Sequence, residues 1–308
     1  MSGVIGLLVM SYGAPRDMND IETFYTHVRR GNPPPLELLR EIEARYAAVG
    51  GVSPLMQRTR RQATALQEVL GAEDPRWRVY MGTKHQAPYL EDAVAQMAAA
   101  GIGTAVGLVL APHYSRASTG EYFTRVEEAA QDTGLNCSFV RGFHADRTFI
   151  RILAERVRQV RALIPDDERE GAPVVFTAHS LPVGAVEVGD PYAAQVEETA
   201  RLVARELRTH GYETAWQSAG RTDEEWLGPD LCAVIARLGA KGARAVVCCP
   251  CGFVADNLEV LYDIDIEAQQ AARDAGVLLV RTESPNADPE FVAVLRDVVL
   301  RHARERGL

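Results

Sequence analysis

Two stretches hold the residues whose types and spacing could do chemistry. In VVFTAHSLPVG, residues 174 to 184, an apolar run ends on His179, followed at once by Ser180, Leu181 and Pro182. In ADNLEVLYDIDIEA, residues 255 to 268, acids recur as Asp256, Glu259, Asp263 and Glu267. On an α-helix, at about 100° per residue, these four fall within about 80° of one another. One reading is a solvated acidic face with Asp256 as its N-cap. The other starts from Glu259, which follows a very apolar strand and is flanked by Leu258, Val260 and Leu261. A carboxylate so placed is partly buried and needs a cation or an imidazolium beside it. His179 is the available partner, although a histidine at a strand end also serves as a plain hydrogen-bonder. An imidazole and a carboxylate in a mainly apolar cleft accept protons near neutral pH and ligate a divalent metal weakly through N and O. Such a site suits a metal that is handed on. Ser180 is not read as a nucleophile, because AHSLP lacks the GxSxG elbow that strains and exposes a catalytic serine.

Elements must bring these residues together. Eight short apolar runs alternate with segments of helical period: 4–10, 77–82, 105–113, 137–142, 172–179, 213–218, 243–253 and 276–282. Several are continuously apolar, as parallel strands covered on both faces require. Helices are expected over 36–48, opened by Pro33 to Pro35, and over 190–210, opened by Asp190-Pro191. The pattern predicts an α/β protein of two Rossmann-like domains, each a parallel sheet flanked by helices, with the active cleft between them. The expected division is 1–145, 146–285 and a C-terminal helix, 286–308, packing back on the body, with the turn-rich DDEREGAP (166–173) near the crossing. GLVLAPHYS and VVFTAHSLP form a weak internal echo, a possible trace of duplication.

Ligands of open α/β sheets sit outside the carboxyl ends of the strands. Here those ends carry SYG (11–13), TKH (83–85), PHYS (112–115), AHS (178–180) and GFVADNLE (252–259). Neither GxGxxG after the first strand nor GxxxxGK[ST] anywhere is present, so nucleotide phosphates have no fingerprint. The loop in WQSAGRTDEEWLGPD (216–230) could set Trp226 against a flat ligand, or simply bury it.

The chain has 308 residues, 47% hydrophobic, with a formal net charge of -9. Acids outnumber Lys and Arg, 42 to 33, which argues against a nucleic-acid partner. The apolar run Val4 to Met10 is too short to span a membrane and lacks the flanks of a secretory signal, which points to the cytoplasm and to no stable membrane insertion. Five cysteines, three of them in CCPC as Cys248, Cys249 and Cys251, show neither paired CxxC nor finger spacing and read as buried strand residues.

The segments GLLVMSYGAP, YTHVRRG, RYAAVGGVSPL, KHQAPYLEDAVAQM, VLAPHYS, AHSLP, GDPY, WQSAGRTDEEWLGPD and GFVADNLEVLYDID resemble those of the ferrochelatases, nearly end to end. Most similar is the coproporphyrin III type of Gram-positive bacteria. The resemblance implies a chelatase-like fold and a lyase of haem biosynthesis that inserts Fe²⁺ into a porphyrin with loss of two pyrrole protons, without an organic cofactor. It implies that His179 and Glu259 bind iron and accept those protons on one face of the macrocycle. Tyr12 would approach the other face as axial ligand of the product iron, and Asp263 and Glu267 would form a metal or proton path. Arg29, Arg45, Tyr46, Ser53 and Tyr122 match porphyrin-lining positions, the arginines suiting propionates. The tail VLRDVVLRHARERGL has no cysteine, so no [2Fe–2S] cluster is expected. Expected partners are the porphyrin and Fe²⁺, with transient contact with haem-pathway enzymes, and a monomer is the default state. Alternatives are a protoporphyrin IX ferrochelatase, a cobalt or nickel chelatase for sirohydrochlorin-type rings, and a non-catalytic porphyrin or haem carrier.

Overall fold

The computed structural model describes residues 3–186, 189–220, 222 and 224–308. Each of the eight apolar runs overlaps a strand: β1 Ile5–Ser11, β2 Trp77–Thr83, β3 Thr104–Val109, β4 Asn136–Val140, β5 Val174–His179, β6 Tyr212–Gln217, β7 Ala245–Cys249 and β8 Leu278–Arg281. They form two four-stranded sheets, ordered β2-β1-β3-β4 and β6-β5-β7-β8, and all pairings are parallel. Central strands carry the most apolar runs because helices cover both faces; every residue of β1 is buried.

The helices of the first half are α1 Ile21–Val28, α2 Leu36–Ala48, α3 Leu55–Glu73, α4 Leu90–Ala99 and α5 Thr119–Ala130. Those after β4 are α6 Arg147–Arg161, α7 Asp166–Arg169, α8 Tyr192–Leu207, α9 Leu231–Ala240, α10 Gln269–Asp274 and α11 Pro289–Glu305. Asp146 starts α6, its Oδ1 accepting from the amides of Thr148 and Phe149. From there α6 packs against α8 and the second sheet, whereas α11 returns to α3, β3 and β4. One hydrophobic cluster runs from Leu7 and Val9 of β1 through Leu66, Phe149 and Phe291 to Phe176 and Val247. The two halves therefore share a core and do not hang from a linker.

The strand orders match when β5 is set on β1 and β7 on β3. The sequence echo instead pairs β3 with β5, which are not equivalent, so the duplication lies in the order of strands and not in that motif. Cys248, Cys249 and Cys251 are fully buried around the end of β7.

Between β7 and α10 the segment Val260–Ala268 is a π-helix, where a regular α-helix was expected. The amide of Gln269, for instance, bonds the Ile264 carbonyl five residues back. Asp256 is not its N-cap either. Asn257 Oδ1 accepts from the Val260 amide at 2.8 Å, while Asp256 is drawn away to Arg58 and Asn286.

Candidate active site

The carboxyl ends of the strands open onto one cavity of about 360 Å³ between the two halves. Tyr12, Tyr46, Ser53, Tyr122, His179 and Glu259 all line it. Of the other residues singled out from the sequence, Arg29 is exposed on the chain segment after α1, its Nε donating to the Asn32 carbonyl at 3.3 Å. Arg45, Asp263 and Glu267 form a charged group of their own.

His179 ends β5, where its strand is pinned. The Tyr192 hydroxyl donates to the His179 carbonyl at 2.9 Å, and the buried Ser180 hydroxyl donates to the Leu227 carbonyl at 2.8 Å. Ring Nδ1 of His179 lies against the Ser180 carbonyl. A carbonyl only accepts, so Nδ1 carries the proton and Nε2 keeps its lone pair. The imidazole is thereby set as a base or ligand through Nε2.

Gln217, buried at the end of β6, joins this strand to Glu259. Its Oε1 accepts from the Thr177 hydroxyl at 2.9 Å, its carbonyl from the Ser180 amide at 2.7 Å, and its Nε2 donates to the Glu259 carbonyl at 3.2 Å. Gln217 thus ties the end of β5 to Glu259, through its backbone carbonyl to Ser180 and through its side chain to Thr177 and the Glu259 carbonyl. Glu259 is half-buried, as its apolar flanks suggested.

Tyr12 approaches from the first half. Gly13 follows it with a φ of +93°, and a Cβ there would lie 2.8 Å from Gln86 Cβ, so only glycine permits this turn. The Tyr12 ring packs at 4.6 Å from the His85 ring. It is 40% exposed, in contact with the open cleft, yet enclosure by protein and the nearby Glu259 carboxylate both hold its phenol well above the ordinary value. Tyr25 and Tyr46 are pushed up in the same way, burial first. His85 is driven down to about 3 by burial and by Lys84, so it stays neutral.

The acidic series is not a solvated face. It divides: Glu259 borders the cavity, and Asp263 and Glu267 meet Arg45 of α2 at 3.4 and 3.6 Å. Arg45 also pairs with Glu41 at 3.2 Å and lies 4.9 Å over the Tyr262 ring. Asp263 further accepts from the Ser218 hydroxyl. Burial pushes its carboxyl up to about 7, with Glu259 and Glu267 adding to the rise and Ser218 and Arg45 opposing it. That carboxyl exchanges a proton near neutrality.

Sequence reading missed the cavity-lining amide Gln62, whose Nε2 donates to the carbonyls of Val254 and Asn286 at 3.3 and 2.7 Å. Its signal was a polar residue beside Ala63 on the core-facing side of α3. Trp226, weighed as a wall for a flat ligand, does border the cavity. Among the described residues, no three or more His, Cys, Asp or Glu are grouped to hold a metal ion. An aromatic, mainly apolar cleft with an imidazole and a carboxylate from one half of the chain and a phenol from the other can hold a flat ring, accept its protons and pass a metal through.

Comparison with known proteins agrees with this arrangement. The family model described as Ferrochelatase matches residues 4–303. Proteins named coproporphyrin III ferrochelatase from Bacillus subtilis and Geobacillus kaustophilus are each 44% identical, over 96% and 98% of this chain and 97% of each relative. Among solved structures, SirB from Bacillus subtilis with Fe³⁺ superposes with a TM-score of 0.64 at 11% identity, covering 99% of this chain and 98% of that one. CbiX, described as the terminal enzyme of sirohaem biosynthesis in denitrifying bacteria, gives a TM-score of 0.53 at 14% identity, over 96% of this chain and 98% of that one. At those identities the two structures speak for the fold, two parallel sheets facing a cleft. On the match of its whole length, the chain belongs to the ferrochelatase family.

Proposed function

We propose that the protein is a coproporphyrin III ferrochelatase, a lyase that inserts Fe²⁺ into coproporphyrin III with release of two protons and forms coprohaem. The observation that carries this reading is the fixed tautomer of His179. With Nδ1 committed to the Ser180 carbonyl, its Nε2 is left free, and His179 lines one aromatic cavity together with Glu259 and Tyr12. The names and near-complete coverage of the relatives favour the tetra-propionate ring as substrate.

The chemistry follows from charge balance. Two pyrrole N–H protons leave as a dication enters, so the site needs proton acceptors that work near neutral pH. His179 Nε2 and Glu259 take these roles and give the metal transient N and O ligands. Asp263, with its carboxyl at about 7, relays protons outward, and Glu267 continues the path. Tyr12 faces the opposite side of the ring and becomes the axial ligand of the product iron, its raised phenol losing its proton only beside the metal. Arg29, Tyr46, Ser53 and Tyr122 hold the ring and its propionates, and Arg45 serves both a propionate and the acidic path. A planar macrocycle shields its nitrogens, and a cleft between rigid halves favours a bent ring whose lone pairs point toward the metal.

Fe²⁺ is a substrate here and the chemistry needs no organic cofactor. On the same resemblance we assign no [2Fe–2S] cluster, a monomeric cytoplasmic enzyme with transient haem-pathway partners, and units of 1–145, 146–285 and 286–308. Anaerobic mixing of the protein with Fe²⁺ and either coproporphyrin III or protoporphyrin IX, followed by absorption, tests the function. Faster metallation of coproporphyrin supports it. Faster protoporphyrin metallation, or porphyrin binding without metallation, rejects it.

A further inference from the structure

Asp190 is not among the residues that line the cavity, yet it ties together parts of both halves. Its Oδ1 accepts at 3.0 Å from the amide of Tyr192, the first residue of α8 in the second half. Oδ2 accepts from the Arg116 amide at 2.8 Å and from the Ser115 hydroxyl at 3.2 Å, both on the loop between β3 and α5 in the first half. Ser115 is fully buried. Alongside, the Tyr114 amide donates to Gln195 Oε1 of α8 at 2.7 Å. Tyr192, the first residue of α8, donates its hydroxyl to the His179 carbonyl at 2.9 Å.

A continuous chain of bonds therefore runs from the first half, through one carboxylate, to the backbone of His179. The other flank of the cleft is fastened separately, by Gln62 to the Val254 and Asn286 carbonyls and by Arg58 to Asp256. We infer that Asp190 is a positioning residue: it sets the closure of the cleft on the α8 flank, and through Tyr192 the height of His179 over the ring opposite Tyr12. A carboxylate suits this task because its bonds to N–H and O–H donors are charge-assisted and short, and it can serve a helix start and a partner segment together.

The inference rests on the ferrochelatase reading and yields a distinct signature. The two faces of the ring are served by different halves, so a looser flank flattens the bound macrocycle. That costs turnover while leaving the porphyrin contacts in place.

Asp190→Asn tests it. The amide oxygen can still accept from the Tyr192 amide, but the amide nitrogen cannot accept from Arg116 or Ser115. We expect kcat for coproporphyrin III to fall about tenfold, the worth of one charge-assisted hydrogen bond. KM should change less than about twofold, and the out-of-plane resonance Raman bands of bound metal-free porphyrin should weaken. Ser115→Ala, which leaves the bond from the Tyr192 amide intact, should give a smaller effect in the same direction, and the double variant should be no worse than Asp190→Asn alone. Wild-type kcat in Asp190→Asn overturns the inference, as does a fall in kcat with unchanged Raman bands. If Asp190→Asn does not fold, wild-type behaviour of Ser115→Ala overturns it. Failure of the unaltered protein to metallate any porphyrin would instead reject the functional reading.

Discussion

Asp263→Asn should change how stability depends on pH, with a sign fixed by the structure. Burial raises the Asp263 carboxyl from an ordinary 3.8 to about 7, so the folded chain binds this proton more tightly than the unfolded one. Its contribution is fully favourable below 3.8 and is lost as pH climbs through about 7. With these two values, the stability that the shared proton gives at low pH has fallen by about 2 kcal/mol at pH 5, where only the unfolded chain has ionised, and by about 4 kcal/mol at pH 8, where both have. Asparagine is neutral throughout and keeps the size of the side chain. Urea unfolding of both proteins in chelator-treated buffer, at pH 5 through 8, yields the stability difference at each pH. We expect the variant to gain about 2 to 3 kcal/mol on the wild type across that range. A flat difference, or one that grows in favour of the wild type, would refute the argument, because it would mean that Arg45 and Ser218 hold the carboxylate ionised at acid pH.

Other changes bear on the site and its support. His179→Ala and Glu259→Gln should each lower kcat for metallation by about a hundredfold or more, as loss of a proton acceptor does, while porphyrin binding by fluorescence quenching stays within about threefold; metallation near the wild-type rate by both would remove the assigned roles. A Cβ at Gly252 would lie 2.6 Å from Ala178 Cβ and 2.8 Å from its Cα, with no flexible atom to yield. Gly252→Ala should therefore push the end of β5 and cut kcat about tenfold or more, with iron titration and steady-state rates as the readout. Arg156 is buried and donates to the Glu283 and Ser284 carbonyls at 2.9 Å and to Asp288. Arg156→Met strands both carbonyls and should lower stability by about 3 kcal/mol in urea unfolding, with kcat nearly unchanged in the folded fraction.

The strands were legible because parallel strands buried on both faces leave unbroken apolar runs, and these runs cannot be amphipathic helices. The convergence of SYG, PHYS, AHS and GFVADNLE on one cavity followed from that topology alone. The π-helix was not legible. The acids of residues 255–268 were placed on a template of 3.6 residues per turn, and nothing in their spacing signals a wider turn. Asp256 looked like a cap by type, yet Arg58 and Asn286, far away in sequence, compete for it and leave the cap to Asn257. Arg45 was assigned to propionates by resemblance. Its pairing with Asp263 and Glu267 arises only when α2 of the first half packs beside the π-helix of the second, which no local pattern records. Gln217 tells the same story: an amide at a strand end acquires meaning from the two partners, Thr177 and the Glu259 carbonyl, that the fold brings to it.

The thiols of β7 bear on how the metal travels. Burial raises Cys248 and Cys249 to about 12 and Cys251 well above its ordinary value, and the partly exposed Cys137 and Cys232 are raised to about 12 and 11. Only a thiolate is a strong soft ligand for ferrous iron and a fast target for oxidants. A protein that must surrender every iron it receives thus keeps its most retentive donors protonated. While they stay protonated, these five thiols compete weakly with the porphyrin nitrogens for the cargo.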